Sequence, residues 1–233
     1  MTDSPQLVTQ GGERALLRLF QLSSAALPIG AFAYSQGLEQ AVELRDVTSR
    51  DSALSWIAGM LQRSILSLDV PVLGRLHGAL SRRELTAAQR WNDYLFAARG
   101  SAELRAEERQ VGSALMRLLA REDVPGAAAW LSRPRVTLAT GYALGAVAWG
   151  ATVEQAALSY TFAWAEAQVG AATRLVPLGQ SDAQRVLSGL IERAASGIAA
   201  ALARPDDALG STTPGQLLLS ALHETQYSRL FRS

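Results

Sequence analysis

Apolar residues recur at intervals of three and four along most of the chain, the period of a helix with one buried face, and the two-residue alternation of a strand appears nowhere. The spacing predicts a short amphipathic helix over residues 13–22, with Leu16, Leu17, Leu19 and Phe20 apolar. It breaks at residues 23–30, where Pro28 disfavours the helical conformation of Leu27 and Gly30 permits a turn. A second helix is expected from near Tyr34 to about Leu44. Thr48 with Asp51 reads as an N-cap pair ahead of a helix to Leu68. Asp69 followed by Pro71 marks the next start, because the missing proline N–H costs little in a first turn, and that helix ends near Ser81. Thr86 caps a helix to Arg99, which Gly100 terminates. Ser101 caps another to about Arg121, with Leu104, Val111, Leu115, Leu118 and Leu119 near one face. Beyond a loop at 124–135, residues 136–149 are apolar on all sides, which places that helix inside a bundle. Two capping boxes, Thr152 with Gln155 and Ser181 with Gln184, open helices to about Thr173 and Ala203 around a turn at 174–180.

The predicted fold is therefore all-α: one helical bundle of about eight to ten helices over residues 13–203. A polar head, residues 1–12, reads as disordered, and residues 204–233 form a flexible tail whose first part is rich in Pro, Asp, Thr and Gly. From Gln216 to Phe231 the tail regains apolar residues, which a purely disordered segment has no need of.

Composition narrows the function. Charged residues make up 18% of the 233, below the usual ~25%, so part of the surface is expected to be covered by partners. Forty-one alanines favour helix throughout. A net charge of +1 argues against nucleic acid and against an anionic membrane surface. All 22 basic residues are Arg, so Schiff-base chemistry, a phosphate-cradling P-loop lysine and a lysine general base are excluded together. With no Cys there is no disulfide, thiolate nucleophile or thiolate metal site, and a reducing cytoplasm suits the chain. The first residues lack the apolar stretch of a signal peptide, and the uncharged run from Val136 to Val153 carries three threonines and three glycines, more like a buried helix than a membrane span.

Candidate chemistry is sparse. Ala33-Tyr34-Ser35-Gln36-Gly37 only approximates a nucleophile elbow: the first glycine is missing and no strand precedes it, so Ser35 or Tyr34 is expected to cap a helix while Gly37 allows close packing. His77 and His223 stand alone, without the spacing that puts two ligands on one helical face. His77 is expected to bond backbone or carboxylate, and His223 to meet a metal only at a partner interface. Glu103, Arg105, Glu107, Glu108 and Arg109 alternate in sign like a solvated helix face. Gly141 and Gly145 mark close helix packing, and the five tryptophans serve the core. No catalytic residue, metal site or cofactor is indicated, and composition alone describes a helical binding protein.

The run from Leu16 to Glu39, centred on Leu27-Pro28-Ile29-Gly30-Ala31-Phe32-Ala33-Tyr34-Ser35-Gln36-Gly37, resembles the N-terminal signature of the urease accessory protein UreF family. Further matches are Asp69-Val70-Pro71-Val72-Leu73, the stretch from Ala98 to Arg105 with Gln110 and Gly112, Arg174 to Gln180, and His223 to Ser233. The resemblance implies an all-α, usually dimeric scaffold without catalysis. Such a scaffold binds the accessory protein UreD or UreH and recruits the GTPase UreG, through which nickel reaches the urease apoprotein. A lysine considered for control of the GTPase in that family has no counterpart here. The tail is expected to dock UreD/UreH, with Tyr227, Leu230 and Phe231 as apolar anchors and Arg229 and Arg232 as bidentate donors. Pro28, Tyr34, Ser35, Gln36, Glu39, Arg174, Leu178, Gln180 and His223 complete the expected partner-binding set. The segment from Pro28 to Glu39 serves either as interface or as a plain helix connection, and Arg174 either meets an acidic partner surface or caps helix carbonyls. The rival function is a metallochaperone that binds nickel directly through His77, His223 and carboxylates.

Overall fold

The computed structural model describes residues 6–210 and 213–232, with side chains from Gly12 onward. Its described residues are helical, with no strand, and form eleven α-helical runs. The run of residues that is apolar all round is α8 (Leu138–Trp149), and it lies at the centre of the bundle as expected, with Ala139 to Ala146 continuously buried. Thr137 caps it, its hydroxyl accepting from the Thr140 N–H. Around it pack α1 (Gln6–Ser23), α4 (Val70–Ser81), α6 (Ala102–Arg121) and α9 (Val153–Leu175). An outer shell holds α2 (Leu38–Glu43), α3 (Arg50–Met60), α5 (Leu85–Ala97), the short α7 (Ala127–Leu131), α10 (Gln180–Leu202) and α11 (Pro214–His223). Among the described residues no helix is long and apolar enough to cross a membrane.

Several boundaries differ from those the sequence predicts. Asp69-Pro71 does not start a helix: α3 continues through a π-helical stretch, Leu61–Asp69, directly into α4. A proline inside an ordinary helix loses a hydrogen bond and collides with the carbonyl four residues back. Here the wider turn relieves that collision, and the Ser67 carbonyl that Pro71 cannot serve accepts the Gly210 N–H at 2.8 Å. Ser49, rather than Thr48, caps α3, in a reciprocal box with Ser52. Thr86 and Ser181 lie inside α5 and α10, whereas the Thr152–Gln155 box forms as predicted. The second helix starts at Leu38 after a 3₁₀ turn at Ala31–Ala33.

The ends differ more. Of the head expected to be disordered, residues 1–5 lie outside the described residues, and the chain is helical from Gln6. In the expected tail, Arg75 gathers the Leu202 and Arg204 carbonyls and the Asp206 carboxylate, fixing the exit from α10. Beyond it α11 packs on α2 and α6, and Leu219 and Phe231 join the core. Of the apolar residues of 216–231, Leu219 and Phe231 find their burial within the chain itself, while Leu218, Leu222, Tyr227 and Leu230 stay exposed.

Close approach of α6 to the start of α8 depends on Gly112, since a Cβ there would stand 1.9 Å from the Val136 carbonyl oxygen. Gly112→Ala is expected to lower the unfolding free energy by ~1–3 kcal/mol or more, because the obstacle is backbone that cannot rotate aside. An unchanged urea midpoint would mean that the two helices have room to part.

Candidate functional site

Two stretches that the sequence singles out, residues 28–39 and 223–232, come together on one side of the bundle, joined by Arg174 from the third. The first is shaped by backbone conformation. Gly30 and Gly37 take φ of 77° and 88°, and Gln36 a φ of 54°, so the chain folds back before α2. Gly37 also lets α11 come close: a Cβ there would sit 3.3 Å from both the Gln216 carbonyl oxygen and the Ser220 nitrogen. Ser35 is buried and its hydroxyl accepts from the Glu39 N–H at 3.3 Å, the capping role expected for it.

Glu39 is the anchor of this face. It is buried at the start of α2, and its carboxylate accepts the backbone N–H groups of Leu230 (2.7 Å) and Phe231 (2.9 Å). Its Oε2 also lies 3.0 Å from His223 Nε2. The other ring nitrogen, Nδ1, is 3.0 Å from both oxygens of Glu103 on α6, which in turn accepts from Arg229 at 3.1 Å. His223 is 0% exposed. Two carboxylates thus hold α11 and the chain that follows it, through contacts of the stronger, charge-assisted kind. The Arg232 N–H then donates to the Ala33 carbonyl at 2.8 Å, tying the tail to the first loop.

Arg174, at the end of α9, completes the junction, its guanidinium 6.0 Å from the Phe32 ring centre and 5.8 Å from that of Phe231. Tyr34 donates to Gln110 at 2.6 Å, and Gln36 bridges Glu107 (2.8 Å) and the Trp164 indole N–H (3.0 Å). Burial pushes the Tyr34 phenol up, with Arg232 opposing it. The expected partner-binding residues therefore divide. Tyr34, Ser35, Glu39, His223 and Phe231 are buried and Gln36 is half-buried, all holding the chain together, and of these only Tyr34 and Gln36 line a cleft while the tail is packed. Pro28, Arg174, Arg229, Leu230 and Arg232 are exposed, Phe32 is 59% exposed, and Tyr227, at 106%, projects wholly into solvent. Leu178 packs half-buried on the core and Gln180 opens α10; neither lines the two clefts beside Phe32.

One of these clefts is a cavity of about 370 Å³ running inward from Phe32 and Arg174 to a buried ionic wall. There Arg99 donates to Asp69 at 2.5 and 3.1 Å and to Glu108 at 2.7 Å, while the Tyr160 hydroxyl donates to Asp69 at 2.6 Å. The second Glu108 oxygen accepts the Leu138 N–H at 2.6 Å. Burial works against the Arg99 charge, but the two carboxylates outweigh it and hold its pKa well above the usual value. Burial, reinforced by the same carboxylates, drives the Tyr160 phenol well up. Half-burial at the cavity wall raises the Glu166 carboxyl.

The expectation of a solvated Glu/Arg face on α6 is overturned at Glu103 and Glu108, which are both buried, each paired across the bundle, whereas Arg109 is exposed and Arg105 and Glu107 are half-buried. One signal pointed to Glu108. It stands at helical spacing with Leu104, Val111 and Leu115, a carboxylate on the apolar face. Asp69 and Tyr160 gave no comparable sign. His77 lies 3.1 Å from the Ala151 carbonyl, the backbone partner expected of it. Among the described residues no group of three or more His, Asp or Glu is arranged to hold a metal ion.

Comparison with known proteins adds an identity of sequence to this geometry. The sequence profile of the UreF family matches residues 47–191. A urease accessory protein UreF of Alkalilimnicola ehrlichii is 45% identical over 216 residues, covering 93% of this chain and 95% of that protein. One of Chromohalobacter salexigens is 44% identical over 231 residues, covering 99% and 100% respectively, and one of Citrobacter koseri is 42% identical over 220 residues, covering 94% and 98%. These alignments span nearly the whole chain.

Proposed function

The chain belongs to the UreF family of urease accessory proteins, and from that premise we propose that it is a scaffold for urease maturation in the cytoplasm, without catalysis of its own. As a homodimer it binds the accessory protein UreD/UreH, and the complex recruits the GTPase UreG to the urease apoprotein for delivery of nickel. One observation carries this reading: the 28–39 loop, Arg174 and the tail form a continuous outer face in which buried carboxylates fix the backbone while Tyr227, Leu230 and Arg229 stay exposed. Tyr and Arg are residue types in which binding hot spots are enriched, and Tyr227 and Arg229 stand exposed on a rigid support.

Because α11 contributes to the core, deleting the tail would disturb the fold as well as the surface, so point substitutions test the reading more cleanly. Tyr227→Ala with Leu230→Asp alters only exposed side chains. Co-expressed with the accessory proteins and urease, this variant is expected to lose UreD/UreH from the purified complex by about tenfold or more, as removal of a central anchor does. Urease activation is expected to fall with it. Undiminished recovery of UreD/UreH would remove the tail from the interface.

A further inference from the structure

A second cleft, of about 530 Å³, shares Ile29 and Phe32 with the cavity and lies between the 28–34 loop, α6 and Arg232 of the tail. Arg109, Arg117 and Arg232 line it together with Ile29, Tyr34 and Ser113, and no Asp or Glu does. Arg109 and Arg117 are exposed and have no ion-pair partner among the described residues. They stand about 12 Å apart along the helix axis, with Gln110, Ser113 and Ala114 on the same side of α6. Arg232, brought across by its bond to the Ala33 carbonyl, supplies the third cation.

We infer that this cleft is a docking groove for an acidic, extended segment of a partner protein. The inference rests on the reading of the chain as a protein-binding scaffold and adds the chemistry of one contact. Among the described residues no carboxylate lines the cleft, the nearest negative charge felt there being that of Glu107 on Tyr34, so three cations gathered in it repel one another and a ligand that supplies carboxylates is favoured. The planar guanidinium fork matches a carboxylate bidentately and sheds its hydration more readily than an ammonium. Spacing of the two α6 cations matches carboxylates several residues apart on an extended chain, which advances about 3.3 Å per residue. Ile29 and Phe32 give such a segment an apolar flank. The net charge of +1 leaves no wider positive field of the kind nucleic acid requires.

The test is titration of the full chain with an oligoglutamate peptide, for the natural protein, for Arg109→Glu with Arg117→Glu, and for Arg90→Glu on the exposed side of α5 as control. Binding is expected to weaken with added salt and to fall about tenfold or more in the double variant while Arg90→Glu leaves it unchanged. Peptide that binds the natural and double-variant proteins alike, or neither, overturns the groove. Displacement of the peptide by inorganic phosphate at matching concentration overturns the acidic segment in favour of a general anion site. In parallel, the natural protein and the double variant are used to capture UreD/UreH, UreG and apo-urease. Failure of the natural protein to capture any of them counts against the scaffold reading, whereas capture by both proteins alike leaves that reading standing and removes the groove from it.

Discussion

Arg99→Leu is expected to be the most damaging single substitution in the bundle interior. Arg99 is the only cation in contact with Asp69 and Glu108 among the described residues; both carboxylates are buried and the Arg99 side chain is 13% exposed. Removing it leaves two carboxylates facing each other's surroundings without a counter-charge. Breaking a buried ion pair from one side costs ~3–5 kcal/mol. For a chain of this size each kcal/mol moves the thermal midpoint by roughly 2–4 °C, so a fall of about 6–20 °C is expected by calorimetry. A triple variant, Arg99→Leu with Asp69→Asn and Glu108→Gln, removes the stranded charges yet keeps oxygen acceptors for Tyr160 and for the Leu138 N–H. It is expected to regain much of the loss. If Arg99→Leu melts like the natural protein, the wall is wet and the charges are screened. If the triple variant melts as low as the single, the damage comes from lost packing rather than from charge.

That wall also shows where sequence reasoning stops. The central helix was legible because residues 136–149 have no polar face to turn outward. The cap at Ser101 and the Thr152–Gln155 box were legible because they are local bonds over three residues. Family membership was legible through short motifs in a fixed order, with the relatives confirming it over nearly the whole chain. Long-range pairing was not. The partners of Asp69 are 30 and 91 residues away, those of His223 120 and 184, and no periodicity reports such distances. Pro71 misled for a related reason: the bond that makes a helical proline tolerable comes from Gly210, in a stretch whose composition suggested only a tether. The motif residues Asp69, Arg99 and Glu103 thus turned out to carry the interior, while the exposed binding surface is built on top of them.

Glu39→Ala is expected to free the tail without unfolding the bundle. Glu39 serves three donors at once, the Leu230 and Phe231 amides and the His223 ring. Each buried donor left without its acceptor costs about 1–3 kcal/mol, and the cheapest relief is for the donors to return to water. Residues 224–232 can do so more easily than α2, because their outer side is already exposed at Tyr227, Arg229 and Leu230. Hydrogen exchange should therefore accelerate sharply at the Leu230 and Phe231 amides and little in α8, where opening requires the whole core. Arg174 would lose Phe231 from its aromatic contacts and keep Phe32. On the scaffold reading, a partner must then order the tail as it binds, so recovery of UreD/UreH should drop even though no exposed side chain has been altered. Glu39→Gln separates the causes, since it keeps one oxygen acceptor and removes the charge. Exchange as slow in Glu39→Ala as in the natural protein would mean that Phe231 burial and the Arg232–Ala33 bond hold the tail on their own.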